Sequence, residues 1–569
     1  MLKKLASWKW PPAVVVAMSL ALALPALRAG FFTDDHVLLA EIEGRLPVPH
    51  PWDLYSFCPD GETLRQAMAV GAYPWWTNPE IRIRLFRPLP SLLLQTEHAL
   101  FGRRALGYHL VTLAVFAAML LAANRLLRTA LPPALAGIAF AVFAWNDMQG
   151  QPAVWMSDRH SVLAALFGFV AVWLHVPRRE QGGSWGGAGS LLAGGVALLC
   201  SEVGLQPLAY ILAYELLRRR QIKPVLPAAA LAVGYLVTYW AAGYGTRGSA
   251  LYLDPGSDPL GFALALSGRL PAFAGDLFGG MPLDLWLLSP KARPPLVAMG
   301  VVTLAIFGWA MRRVRPALPD EEARSVGWLL LGALLSAVPG AAGAPGSRLL
   351  LVPGLGAAAG LAVLMVRLPS VSPRSRVATA LALVLVLVHL VGQPIQLLAQ
   401  VVVIGEIGHR NEAMARAAPV PEREGVDVAL LGGADPQVGI YVGLLRILSD
   451  PRPRSWRLLT MAPCEHQLTA VARDALDVKL VGCRLMDTVW EQLFNQKHDS
   501  YAPGDAVELS GLKVEIVETV DGAPVRVRFT FARPLDDPDL VLLTWRGGAL
   551  RRIDPPPAGS TLVLPVTGT

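Results

Sequence analysis

Apolar runs recur along most of this chain, and the turns between them carry arginine. Such runs lie at 12–27, 108–123, 135–145, 162–176, 191–200, 205–217, 225–242, 296–311, 326–338, 349–366 and 377–404. Only 16% of the 569 residues are charged, whereas 53% are hydrophobic. Soluble domains carry about a quarter charged residues, so the pattern implies an integral membrane protein seated in a lipid bilayer. Several runs are shorter than the roughly 20 residues of an upright spanning helix, so their ends must extend into flanking residues. The break at Ser201-Glu202 separates two short runs and reads as a tight hairpin near one membrane face.

The turns set an orientation. With the N-terminus inside, the cytoplasmic turns hold Arg125 and Arg128, Arg178 and Arg179, and Arg218, Arg219 and Arg220 with Lys223. Later cytoplasmic turns hold Arg312, Arg313 and Arg315, then Arg367, Arg374 and Arg376. This is the positive-inside pattern. It requires that 260–278, which contains Ser267, Arg269, Pro271 and Asp276, lie as an amphipathic helix in the outer interface. The count is then about eleven spans. Arg103, Arg104, Lys291 and Arg293 fall on the outer side, against the rule. Lys3, Lys4 and Lys9 ahead of 12–27 suit a signal peptide or, the reading preferred here, a retained first spanning helix. The formal net charge of +7 is no sign of nucleic acid, because the arginines cluster beside apolar runs.

The expected architecture is an all-α polytopic membrane domain over 1–405, with a large first outer loop at 29–107. A small extracytoplasmic β-rich (α+β) domain follows over 406–569. In that domain 427–431 reads as a strand and 439–448 as a helix. Residues 514–518 and 525–529 alternate with period two around Asp521-Gly522, a hairpin signal. Runs at 540–545 and 561–566 are strand-like. Cys464 and Cys483 would face an oxidising space, where a disulfide suits them. Neither CxxC nor Cys/His zinc spacing occurs, and Gly432-Gly433-Ala434-Asp435-Pro436 lacks the spacing of a phosphate loop. A serine hydrolase is disfavoured, since no GxSxG surrounds a serine.

Polar residues converge on one predicted face. Asp34 and Asp35 lie a few residues beyond the first apolar run, where two adjacent acids repel each other and resist desolvation. They are either a solvated helix start, with Thr33 or Asp34 as N-cap, or a catalytic carboxylate site. Arg87, His109, Asp158, Arg159, His160, Glu202, Arg247 (with Tyr252 and Asp254 in its loop) and Arg348 fall on the same side. Arginine grips phosphate bidentately, and a carboxylate can take a proton from an attacking hydroxyl. Plainer readings exist. Asp158 and Arg159 could pair locally, Arg87 and Arg348 could anchor helices at the interface, and His109 and Glu202 could be polar residues tolerated at helix ends. His36 either assists Asp35 or, the reading preferred here, sits at the surface.

The acidic pair, FRPLPSLLLQTEHALFGRRALGYHLVTL (86–113), AFAVFAWNDMQGQPAVWMSDRHSVLAALFGFVAVW (139–173) and CSEVGLQPLAYILAYELL (200–217) together resemble GT-C membrane glycosyltransferases. Their style is that of the protein O-mannosyltransferase-like group and its bacterial relatives. The resemblance continues weakly through GAPGSRLLLVPGLGAAAGLA (343–362) and leaves out the C-terminal domain. It implies transfer of a sugar from a polyprenyl-phosphate carrier to an extracytoplasmic acceptor. It implies further that Asp34 or Asp35 is the first-loop acid and that Arg87, Arg159 and Arg348 hold carrier phosphate. Glu202 resembles the acid of a Lys-Glu motif, although Ser201 precedes it here. A divalent ion held by the adjacent acids with help from Glu202 is left open. A transporter of a lipid-linked or anionic substrate is one alternative, but charges at mid-membrane and related halves are not seen. A non-catalytic carrier-binding or assembly protein is the other.

Overall fold

Each apolar run folds largely as helix in the computed structural model, which describes residues 11–58, 61–181, 185–371, 374–433, 435–496 and 501–566. Lys3, Lys4 and Lys9 lie outside these residues. Among the described residues, seven helices are long and apolar enough to cross a membrane. They are Ala105–Ala130, Met156–Glu180, Lys223–Ala241, Pro290–Ala317, Asp320–Gly340, Pro353–Val371 and Arg376–Ala417. Pro12–Arg28, Pro133–Ala144 and Gly186–Cys200 are shorter apolar helices, and a π-turn over Glu215–Arg219 lengthens Leu205–Tyr214. The count of about eleven crossings therefore turns on these shorter helices, which fall below the length of an upright span.

Burial separates the centre of the bundle from its lipid-facing rim. Pro353–Val371 is 72% buried over its most apolar window, against 17% for Pro290–Ala317 and 22% for Lys223–Ala241. Small residues put the first of these at the centre. A Cβ on Gly356 would meet the Leu329 carbonyl oxygen at 2.0 Å, so the two backbones touch only because glycine is there. Arginines of the expected cytoplasmic turns meet at one end of the bundle. Arg179 pairs with Glu215 at 2.6 Å, Arg218 with Glu321 at 3.3 Å and Arg367 with Glu322 at 2.9 Å. Residues 260–278 fold as the helix Pro259–Gly279, which lies along Arg293–Val314.

The helix Gln393–Ala417 runs unbroken across the expected domain boundary and leads into two sheets. A four-stranded sheet is ordered Ala549–Ile553, Leu540–Arg546, Asp427–Leu431, Ser455–Leu458. Its first pair is antiparallel and the others parallel. A six-stranded antiparallel sheet is ordered Thr561–Leu564, Glu465–Ala472, Ala475–Val481, Ala523–Phe531, Leu512–Val520, Ala506–Leu509. The hairpin turns at Asp521 and Gly522, both at positive φ, as the Asp-Gly signal requires. A disulfide joins Cys464 to Cys483, with their Cα atoms 6.0 Å apart.

The first loop is docked on this C-terminal domain. Trp75 donates its indole N–H to the Leu459 carbonyl at 2.9 Å, and Trp76 donates to that of Glu491 at 3.3 Å. Both indoles are buried in the C-terminal core. A third, three-stranded sheet made of Ser56–Cys58, Arg82–Arg84 and Gly245–Arg247 ties this loop to the segment after Lys223–Ala241.

Candidate functional site

The side chains that matter here sit at helix starts and single turns, where apolar runs end. Asp34 opens the helix Asp34–Ile42, and Arg87 caps Pro88–Phe101. Asp158 ends the turn Met156–Asp158, Glu202 starts Glu202–Gly204, and Arg348 lies in Ser347–Leu350. Acids are favoured at helix N-termini by the free N–H groups there. The arginines are not, and each is held by a carboxylate.

One cavity of about 1400 Å³, counting its open mouth, is lined by Asp34, Arg87, Asp158, His160, Glu202 and Arg348. Tyr55, Trp155, Tyr252 and Asp254 are among the further polar and aromatic residues of its wall. Arg87 forms a two-pronged pair with Glu202: its Nε donates to Oε2 at 3.2 Å, and its Nη2 donates to Oε1. The guanidinium also lies 4.9 Å from the Tyr55 ring centre. Arg348 donates through Nη1 to Asp158 Oδ1 at 3.2 Å and lies 5.3 Å from the Trp155 ring centre. Arg87 Nη1, Arg348 Nη2 and Arg348 Nε have no hydrogen-bond acceptor among the described residues. Ser201 bridges His160 Nδ1 (3.0 Å) and Glu202 Oε2 (3.1 Å), so the two sides of the cavity belong to one polar network. No lysine precedes Glu202, and Arg87 supplies its cation from across the cavity.

The acidic pair divides. Tyr441, from the C-terminal domain, donates to Asp34 Oδ1 at 2.8 Å. Asp34 Oδ2 has no hydrogen bond among the described residues. Burial raises the Asp34 carboxyl above its ordinary range, against the Tyr441 hydrogen bond and the charges of Arg348 and Arg87. Asp35 turns inward: Oδ2 accepts from Phe32 N at 2.9 Å, and Oδ1 accepts from Ser157 N at 2.8 Å and from the Ser157 hydroxyl. Burial pushes it up to about 7. Thr33, just ahead, has φ 44° and ψ −108°. That is a strained conformation for a β-branched residue, and it sits beside the candidate carboxylate. Burial also tends to raise Glu202, but the charge and hydrogen bonds of Arg87 outweigh it and hold that carboxyl below its usual range.

Other expected site residues lie elsewhere. Arg159 is turned away from the cavity into a buried ion pair with Glu97, where its Nη1 donates to Oε1 at 2.8 Å and its Nη2 to Oε2. Its partner is thus Glu97, while the adjacent Asp158 pairs with Arg348. His109 is buried, with Nε2 3.1 Å from the Ala29 carbonyl, and so ties the first helix to the second. Arg247 is 64% exposed at a sheet edge beside Glu80. His36, expected at the surface, is buried near Phe31. Glu97 and Tyr441 were missed. Glu97 carried a signal, since an acid inside an apolar helix needs a partner; Tyr441 carried none.

The donor set does not suit the divalent ion left open above. Asp35 is used by backbone and serine donors, and Glu202 by Arg87. No group of three or more His, Cys, Asp or Glu among the described residues is arranged to hold a metal. Behind Arg348, Asp147 and Asp284 meet Ser347 Oγ at 3.4 and 3.3 Å. Burial and the nearby Asp284 push Asp147 up to about 7. These contacts fix the loop from which Arg348 projects.

No family model matches the chain, and no curated protein matches it. Among solved structures it is similar to the oligosaccharyltransferase of Archaeoglobus fulgidus in the apo form, at 12% identity and TM-score 0.41. The match covers 78% of this chain and 64% of that one, so the chain spans just under two thirds of its length. The same enzyme in complex with an inhibitory peptide and a dolichol-phosphate is also similar. So is ArnT from Cupriavidus metallidurans bound to undecaprenyl phosphate, at 13% identity and TM-score 0.36 over 79% of this chain and 89% of that one. At these scores the likeness carries no residue correspondence.

Proposed function

We propose that this chain is a GT-C-like membrane glycosyltransferase that moves a sugar from a polyprenyl-phosphate carrier to an acceptor outside the cytoplasm. In this reading it sits in the cell (inner) membrane with its N-terminus cytoplasmic, and the cavity and the C-terminal domain face outward. The observation that carries the proposal is one open cavity with a carboxylate, Asp34, and two arginines whose remaining N–H groups lack acceptors among the described residues.

Arg348 and the free arm of Arg87 hold the carrier phosphate, because planar N–H forks match its oxygens. An acceptor hydroxyl, on a protein, lipid or glycan, attacks the anomeric carbon from the opposite side. The new C–O bond forms as the bond from that carbon to the phosphate oxygen breaks. Asp34 takes the hydroxyl proton, and the arginines stabilise the charge that returns to the phosphate. Trp155, Tyr55 and Tyr252 supply flat surfaces for the sugar.

The test is transfer from labelled polyprenyl-phosphate sugars to acceptor extracts, followed by nuclear magnetic resonance of the product. A product with inverted anomeric configuration supports the single displacement. Retained configuration contradicts it, and an absence of transfer across donors and acceptors contradicts the transferase itself.

A further inference from the structure

A second cavity, of about 680 Å³ counting open space, is lined by Arg269 and Arg293 with Ser267, Trp286 and Leu264. Arg269 is only 6% exposed. It donates to three backbone carbonyls: Ala341 at 2.5 Å, Gly343 at 2.8 Å and Leu251 at 3.4 Å. Its Nε has no acceptor among the described residues. Arg293 donates through Nε to the Trp286 carbonyl at 3.4 Å, and its guanidinium lies 5.6 Å from the Trp286 ring centre. Its two Nη groups have no acceptor among the described residues.

Neither arginine makes an ion pair among the described residues, and the charge acting on Arg269 is that of Arg293. Buried cations are ordinarily paired, because carbonyl dipoles alone do not replace a counter-charge. Two guanidinium groups lining one pocket without a carboxylate make a site for an anion, and their planar geometry fits phosphate oxygens. The rim is apolar and open: Leu264, which lines it beside Ala265 and Leu287, is 66% exposed. Of the three residues whose carbonyls Arg269 grips, Gly343 also lines the first cavity, beside Ala342. Leu253 N, donating to the Ala342 carbonyl at 2.8 Å, completes that wall.

We infer that Arg269 and Arg293 form a second anion site that takes a phosphate group, with the apolar rim placed for the chains of a phosphate-bearing lipid. The inference does not depend on sugar transfer.

The test uses the full chain in nanodiscs of phosphatidylcholine doped with phosphatidylglycerol. Native mass spectrometry counts the retained phosphatidylglycerol, and equilibrium dialysis with labelled inorganic phosphate runs in parallel. Arg293→Ala should lose one retained phosphatidylglycerol and bind that lipid about tenfold more weakly, as expected for lost charge-assisted hydrogen bonds. Arg293→Lys should fall between. Loss of inorganic phosphate binding with lipid retention unchanged would keep the site and assign it to free phosphate. Arg269→Gln is the second variant. It also loosens the 341–343 segment, so Arg293, on the half-buried side of the pocket, carries the decision. Unchanged lipid and phosphate binding in folded Arg293→Ala overturns the inference.

Discussion

Asp34 and Asp35 are the same chemical group one residue apart, and the helix they begin sends them to opposite sides. Asp35 is consumed by three donors from Phe32 and Ser157, whereas Asp34 meets the cavity with a single hydroxyl donor, Tyr441. An acid pair at this position was legible in the sequence because two carboxylates so close to an apolar run need a reason. Which one faces the cavity was not legible, since it depends on the turn at Thr33 and on residues 122 and 407 positions away in the chain. The proposed chemistry needs Asp34 ionised. Its carboxyl is raised by burial and lowered by Tyr441, so turnover should rise with pH through a midpoint above the ordinary carboxylate range. Tyr441→Phe removes a lowering influence. The acid limb of its pH–rate profile should therefore move to higher pH, with lower turnover at neutral pH and no change at the alkaline plateau. A limb that stays in place would remove Asp34 from the base role.

Helices and strands were the most legible part. Apolar runs and period-two alternation reflect burial directly, and nearly every run became the element it suggested. Pairing between elements was not legible. Arg159 looks like a phosphate ligand in sequence, yet Glu97, 62 residues earlier, takes both arms of its guanidinium where neither side chain is more than 3% exposed. No short-range pattern announces that contact. Breaking a buried pair on one side leaves the other charge stranded, at a cost of about 3–5 kcal/mol, while replacing both partners with apolar groups is far milder. Arg159→Leu should thus unfold much more readily than wild type in mixed micelles, and Arg159→Leu with Glu97→Leu should regain most of the loss. Equal destabilisation in the single and double variants would show that the pair does not hold these helices together.

At the scale of the whole molecule, the C-terminal domain is part of the site's architecture. It buries Trp75 and Trp76 of the first loop and delivers Tyr441 to Asp34. Composition announced a separate β-rich unit, but nothing in its sequence pointed to the loop it would cover. Gly71 marks a close approach of the two: its φ is +87°, and a Cβ there would lie 1.9 Å from the Trp456 carbonyl oxygen. Gly71→Ala should destabilise the chain by more than about 1 kcal/mol, measured by thermal unfolding, and should lower turnover by loosening Tyr441. Wild-type stability and turnover in that variant would uncouple the docked loop from the site. The central claim is that Asp34 acts on a lipid-phosphate sugar held by the arginines. Its most direct test is sugar transfer from radiolabelled polyprenyl-phosphate sugars in proteoliposomes, comparing wild type with Asp34→Asn and measuring carrier binding in the same preparations. The account predicts that Asp34→Asn binds carrier like wild type and loses transfer by about two orders of magnitude or more, the scale of a missing general base. Transfer at the wild-type rate in Asp34→Asn would contradict it.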